Sequence, residues 1–249
     1  MPAYSLALCF DAPMQSWGVR SRGSIRDTGR EPSKSGVIGL LGAALGIARD
    51  NHEAIADLAQ LRMGVRVDRE GILERDFHTV QNVPTTTGTG HRTAVSHRYY
   101  LADALFLVVL QHQQPEKLNQ ILAALHDPIW PLFFGRRAFP PARPIVSSGR
   151  PGEHLTGLGL LEQPIEQVLA THPWLENRDE IRTAQRRQEL RNPLRTVVDC
   201  TPDDQAAEIR PDLPLSFTHG DRRYTTRTVR TGHVPLTDRL INTEAATCI

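Results

Sequence analysis

The chain has three cysteines, Cys9, Cys200 and Cys248, and no C-x-x-C pair. Neither a disulfide framework nor a zinc site is indicated. Lysine is almost missing: two of the 29 basic residues are lysines, Lys34 and Lys117, and the rest are arginines. Arginine's planar fork suits phosphate and base stacking, although a G+C-rich genome is the plainer explanation of the total. No apolar run approaches the roughly 20 residues of a membrane-spanning helix; the longest are 37–48 and 104–110. The N-terminus MPAYSLALCF lacks a basic leader region, so a soluble protein of a reducing cytoplasm is expected. Net charge is lacking too. With 29 basic and 28 acidic residues the formal sum is +1, which says nothing of nucleic acid.

The distribution of charge says more than the sum. Residues 130–150 hold four arginines and no acid, residues 222–234 hold four and no acid, and residues 84–98 hold two arginines and two histidines without an acid. Residues 12–49 hold six basic residues against Asp27 and Glu31. This last stretch, APMQSWGVRSRGSIRDTGREPSKSGVIGLLGAALGIAR, is the one around which the chain is organised. Pro32 closes a loop, Ser33 is a good N-cap, and Lys34 lies in the first turn of a helix. Amides and dipole at such a start attract an anion, with plain capping as the competing reading. Glycine recurs at 36, 39, 42 and 46, each interior one costing about 1 kcal/mol relative to alanine. That cost predicts a backbone approaching the face of Gly39, Gly42 and Gly46, while Val37, Leu41, Ala44 and Ala48 pack a core. The order G-x-x-x-x-G-K-[ST] is missing, which excludes a P-loop.

Around this helix the periodicities predict a strand over 4–10, a helix over 52–61, strands over 64–68 and 72–83, and a strand over 99–110. An amphipathic helix over 115–126 and a strand over 129–134 follow. Strand, helix, strand, strand, helix, strand is the ferredoxin-like βαββαβ order of an α+β protein, whose open sheet face serves RNA-recognition folds. The segment 84–97, PTTTGTGHRTAVSH, has no apolar period and is expected to project as a flexible arm. Beyond Pro151 a helix over 165–170, a charged helical run over 176–195 and a hairpin over 213–218 and 222–229 suggest a small second sheet. The division expected is 1–148, with the arm inserted at about 84–98, and 149–249.

APMQSWG followed by PSKSGVIGLLGAALG resembles the N-terminal signature of the CasD family, the RAMP-type subunit of the type I-E Cascade complex that holds the 5′ handle of CRISPR RNA. PLFFGRRAFPP at 131–141 extends the resemblance, which fades beyond about Gly149. It implies an RRM-like fold and a non-catalytic subunit that caps the 5′ end of the guide RNA (crRNA). Its implied partners are the crRNA, the backbone and large subunits of Cascade and, through the complex, target DNA; no membrane is involved. It also implies that the arm is a thumb laid across the guide.

The candidate RNA-binding residues are then Gln15, Trp17, Arg20, Arg22, Arg26, Ser33, Lys34, Ser35, Gly36, Gly39, Arg92, Arg98, Arg136 and Arg137. Trp17 would stack on a base or is a half-buried structural tryptophan. Arg136 and Arg137 follow Gly135 at a strand end, where a turn would aim them at the ligand edge. His91, His97, Tyr99 and Lys34 are the pieces of an alternative, a metal-independent RAMP endoribonuclease that processes repeat RNA; a generic RRM-like binder of single strands is a third reading. No catalytic residue, metal ligand or cofactor is assigned.

Overall fold

The computed structural model describes residues 3–19, 24–86, 88–147, 158–188 and 190–242. The apolar run at the start forms β1 (Tyr4–Asp11), and two short strands, β2 (Met14–Gln15) and β3 (Ile25–Arg26), precede α1 (Lys34–Leu45) and α2 (His52–Ala59). Then come β4 (Arg62–Arg69), β5 (Ile72–Pro84), β6 (His91–Ala102), β7 (Leu105–His112) and α3 (Pro115–His126). The chain continues through β8 (Gly159–Leu161), α4 (Ile165–Thr171), α5 (Asp179–Arg186), β9 (Leu194–Asp199), β10 (Ala207–Ser216), β11 (Arg223–Val234) and α6 (Asp238–Asn242).

The central sheet has the order β10-β11-β9-β4-β7-β1-β8. Its middle, β4-β7-β1-β8, is the antiparallel ferredoxin-like arrangement. The fourth strand is β8, not 129–134. That apolar segment instead turns back on α1, where Ile129 and Trp130 donate their backbone N–H groups to Ala44 and Ala43 at 3.0 and 3.1 Å and so satisfy carbonyls of the helix C-terminus. The expected strand over 99–110 is likewise two strands. Asp103, at φ +57, breaks the run so that β6 joins one sheet and β7 another. The charged run over 176–195 condenses into the shorter α5.

Alternation along the strands builds two cores. On one face Leu6, Leu8, Phe10, Val65, Phe106 and Val108 pack with Val37, Leu41 and Ala44 of α1 and with Leu118 and Ile121 of α3. On the other face Ala7, Cys9, Leu107 and Val109, all fully buried, pack beneath Ile165, Val168 and Leu169 of α4. The sheet face that was expected to stay open for RNA is therefore covered. Arg66 fastens this cover. Its guanidinium pairs with Asp68 and donates to the carbonyls of Leu169, His172 and Pro173 at 2.7–2.9 Å, satisfying the C-terminal end of α4. Cys9 lies in the same layer, where burial pushes its thiol up to about 12.

The C-terminal strands do not form a sheet of their own. β9 pairs with β4 and β11 with β9, so the second region extends the first one's sheet. The expected arm is also ordered differently: β5 and β6 pair from Ile72↔Ala102 out to Pro84↔His91, a long hairpin whose connection starts only at Thr85. β3 pairs with β6 on its other side, at Ile25↔His97 and Arg26↔Arg98.

Candidate nucleic-acid interface

The APMQSWG stretch folds as a knot against the hairpin root. Gln15 is fully buried; its amide donates to the carbonyls of Ala104 at 2.8 Å and Phe10 at 3.2 Å, and its carbonyl oxygen accepts from the Trp17 indole at 3.3 Å. Trp17 stacks with Phe10 and tilts against Phe134, with ring centroids 5.7 and 5.8 Å apart. Both side chains are core, so neither presents a surface to a base. Gly36 belongs to the same knot, because a Cβ there would stand 2.8 Å from the Trp17 ring. Gly135, at φ +85, presses on the Ser16 carbonyl so closely that no side chain fits.

The helix start does bind an anion, but the anion is the protein's own. Ser33 caps the helix, accepting from the Gly36 N–H at 3.3 Å, and Ser35 Oγ lies 3.4 Å from Ser33 Oγ. The Lys34 N–H donates to Asp212 at 2.7 Å, and Lys34 Nζ donates to Asp199 at 2.8 Å. Arg227 bridges the two carboxylates, with bonds of 2.7 and 2.9 Å to Asp212 and a further bond to Asp199. Lys34, Ser33 and Ser35 are thus engaged within the chain, and the donors assigned to a phosphate hold β9 and β10 onto α1. The glycine face differs from expectation as well. Gly46 is the left-handed C-cap at φ +70, and a Cβ on Gly39 or Gly42 would meet nothing nearer than 3.9 or 4.0 Å. No backbone of the described residues approaches there.

The remaining arginines sort by whether a carboxylate answers them. Arg62, Arg66, Arg69, Arg143, Arg195 and Arg227 are in ion pairs in the body of the protein. Among the described residues Arg26, Arg92, Arg98, Arg136 and Arg137, like Arg30, Arg49, Arg75, Arg187 and Arg222, are in no ion pair, and these first five gather at the hairpin and its root. Strand register sets Arg26, Arg98 and Asp76 in one row, with Ser96, Ala94 and Arg92 following on the same face. Arg26, Arg92, Arg98, Ser24, Val80 and Val83 line one shallow groove there. The carboxylates of this face are Glu74, beside Tyr100, and Asp76, which is taken by His78 at 2.5 Å. Arg136 reaches the root from the 134–139 loop, donating to the Tyr99 carbonyl at 2.6 Å with its guanidinium over the Phe139 ring. Burial, followed by the like charge of Arg98, holds its pKa below the ordinary arginine range. Arg137 is exposed on the same loop. Arg20 and Arg22 lie outside the described residues.

The pieces of a ribonuclease do not converge. Lys34 is held by Asp199 of β9, a strand of the central sheet, while His91 and His97 are six residues apart on one strand of the other sheet, about 20 Å at the usual rise. General acid and base must reach one scissile group. Tyr99 and His97 also lie on the face opposite the arginines, since β6 alternates. Sequence reasoning missed Asp199, Asp212 and Arg227, which are far from Lys34 in the chain, and it missed the cross-strand row that sets Arg26 beside Arg98.

Comparison with known proteins agrees with this architecture. Residues 5–230 match the family described as CRISPR-associated protein (Cas_Cas5), well past Gly149, where the resemblance read from sequence faded. The CRISPR system Cascade subunit CasD of Escherichia coli (strain K12) is 34% identical, the match covering 56% of this chain and 68% of that protein. A chain of a structure described as a CRISPR RNA-guided surveillance complex superposes with a TM-score of 0.71 at 30% identity, over 93% of this chain and 91% of that one. A crystal structure of a Cas protein gives 0.66 at 32% identity, over 93% and 95%.

Proposed function

This chain belongs to the CRISPR-associated Cas5 family, and on that footing we propose that it is a crRNA-binding subunit of a Cascade-type surveillance complex, capping the 5′ handle of the guide. The observation that carries the reading is the set of arginines without carboxylate partners on one face of the β5–β6 hairpin. Like charges brought together and left without ion-pair partners cost free energy in the free protein, and a polyanion recovers it. Arg26, Arg92 and Arg98 are the phosphate contacts, and Arg136 and Arg137 continue the track at the root. The hairpin is the thumb. Its register, rather than disorder that folds on RNA, supplies the reach.

The subunit binds and performs no cleavage. Supporting this are the engagement of Lys34 within the fold and the separation of His91 from His97. Its partners are the crRNA, the neighbouring subunits and, through them, target DNA. Among the described residues no helix is long and apolar enough to cross a membrane, in keeping with a place in the cytoplasm. We divide the chain at 148/149 by role rather than by sheet: the first part carries the RNA face, and the second clamps α1 through Asp199 and Asp212.

Mobility-shift assays with the purified chain test the reading. RNA carrying a 5′ handle should be retained in preference to the same RNA without it, and Arg26→Glu with Arg98→Glu should abolish retention. Retention unaffected by the charge reversal would place the RNA elsewhere. Cleavage of repeat RNA in EDTA would favour the endoribonuclease.

A further inference from the structure

The basic face of the hairpin carries one carboxylate that no cation of the chain answers. Register sets Glu74 directly opposite Tyr100, one row nearer the root than Asp76 and Arg98. Asp76 is taken by His78, and Arg98 Nε donates to Ser96 at 3.3 Å. Both bonds reach towards the tip, away from Glu74, which is exposed and, among the described residues, in no ion pair. Tyr100 beside it is half-buried, its ring tilted against Phe139 with centroids 5.8 Å apart, and the Arg136 guanidinium lies over that Phe139 ring at 5.4 Å. Opposed side chains on one face of a ribbon have Cβ atoms about 5 Å apart, so a carboxylate, an aromatic ring and a guanidinium are gathered at the root.

We propose that Glu74 reads a base: it accepts the Watson–Crick edge of one guanine of the bound RNA, whose ring lies against Tyr100. A carboxylate has no donor and repels phosphate, so on a face whose other unpaired groups are cations it weakens binding unless it makes a bond with the RNA itself. Bases of single-stranded RNA are free to stack on aromatic rings and to be bonded at their edges. The carboxylate selects guanine, whose N1–H and N2–H lie side by side and fit two oxygens that only accept. Adenine and cytosine set one amino group beside an unprotonated ring nitrogen, and uracil sets one N–H between two carbonyls, so each of them turns a lone pair on the carboxylate. The arginines hold a backbone common to every sequence; Glu74 adds the sequence. The inference rests on the RNA face proposed above, and it needs Glu74 rather than any one arginine.

The test is selection from a pool of short random single-stranded RNAs by the purified chain, at fixed salt, followed by sequencing of the retained fraction. The parent should enrich guanine at one position about tenfold, the discrimination expected of a bidentate base contact. Glu74→Gln, which keeps the shape and loses the charge, should keep its Tm, still retain RNA and lose that enrichment. In the selected RNA, inosine at that position removes the N2 amine; it should weaken binding to the parent several-fold and leave binding to Glu74→Gln unmoved, the non-additivity that marks a direct contact. Retention without a guanine preference, or a preference and an inosine effect that persist in Glu74→Gln, overturns the proposal and leaves the RNA face standing. Arg26→Glu with Arg98→Glu separates the two readings from the other side: if that variant retains RNA with the same guanine preference, the phosphate contacts are wrong and the base contact stands. A parent chain that retains no RNA overturns both.

Discussion

Lys34 Nζ lies 2.8 Å from Asp199 Oδ2, with both side chains largely shielded from water, and this pair ties the start of α1 to a strand 165 residues away. Lys34→Ala should therefore destabilise the fold by about 2–3 kcal/mol, since it leaves a buried carboxylate short of a partner. Thermal denaturation measures this. A variant with unchanged stability but a weaker salt dependence of RNA binding would return Lys34 to the RNA.

Gly36 and Gly39 should respond oppositely to alanine. A Cβ on Gly36 meets Trp17 at 2.8 Å, and overpacking of that kind costs about 1–3 kcal/mol. A Cβ on Gly39 would meet only the Phe217 ring, at an ordinary contact distance of 3.9 Å, so alanine there gains helix propensity, up to about 1 kcal/mol. Chemical denaturation of the two variants checks the contrast. If Gly39→Ala stabilises the free chain yet blocks assembly, the glycine is there for a neighbour.

Acid should release the segment that follows α4. Burial alone would raise the Glu176 carboxyl, but bonds from Arg178 and Arg69 outweigh it and hold the carboxyl below its ordinary range. A carboxylate depressed by folding contributes stability that is present above its unfolded pKa of about 4.3 and is lost as pH falls through the folded value. Asp11, raised chiefly by burial, acts in the opposite sense. It favours the fold where it is protonated, and that gain is lost as pH rises. Glu176→Gln should be less stable at pH 7 and show a flatter decline below about pH 4.3. A decline as steep as the parent's would assign the acid sensitivity to other groups.

Much of the βαββαβ core was legible because its signals are local. The apolar run of β1, the Ser33 cap and the period of α3 each sit within a dozen residues. What failed depended on distance or on one dihedral. The helix start at Lys34 was assigned to an RNA phosphate, whereas the carboxylates that meet it come from β9 and β10, a source that cannot be read from residues near the helix. Asp103 splits 99–110 through a single positive φ, and 129–134 is apolar because it covers the end of α1 rather than because it pairs. Polar 84–97 looked like a flexible arm, since a ribbon exposed on both sides lacks the half-buried alternation that marks a strand. Trp17 shows the same limit: its burial depends on Phe10, Phe134 and the missing Cβ of Gly36.

Shortening the hairpin should separate fold from function. His78 pairs with Ser96, so joining them through an Asn-Gly turn removes the distal ribbon without disturbing the register of the root. Neither main core includes that ribbon, so far-UV circular dichroism and Tm should be kept while retention of guide RNA falls. Unchanged retention would mean the distal arm is only a loop.

The most direct measurement is the salt dependence of RNA affinity for the parent and for Arg26→Ala, Arg92→Ala and Arg98→Ala combined. Each phosphate contact to a single strand contributes about 0.7 to the slope of log K against log salt. The triple variant should lose about 2 from that slope while keeping its fold. A slope equal to the parent's would contradict the assignment of the hairpin's basic face to the guide RNA.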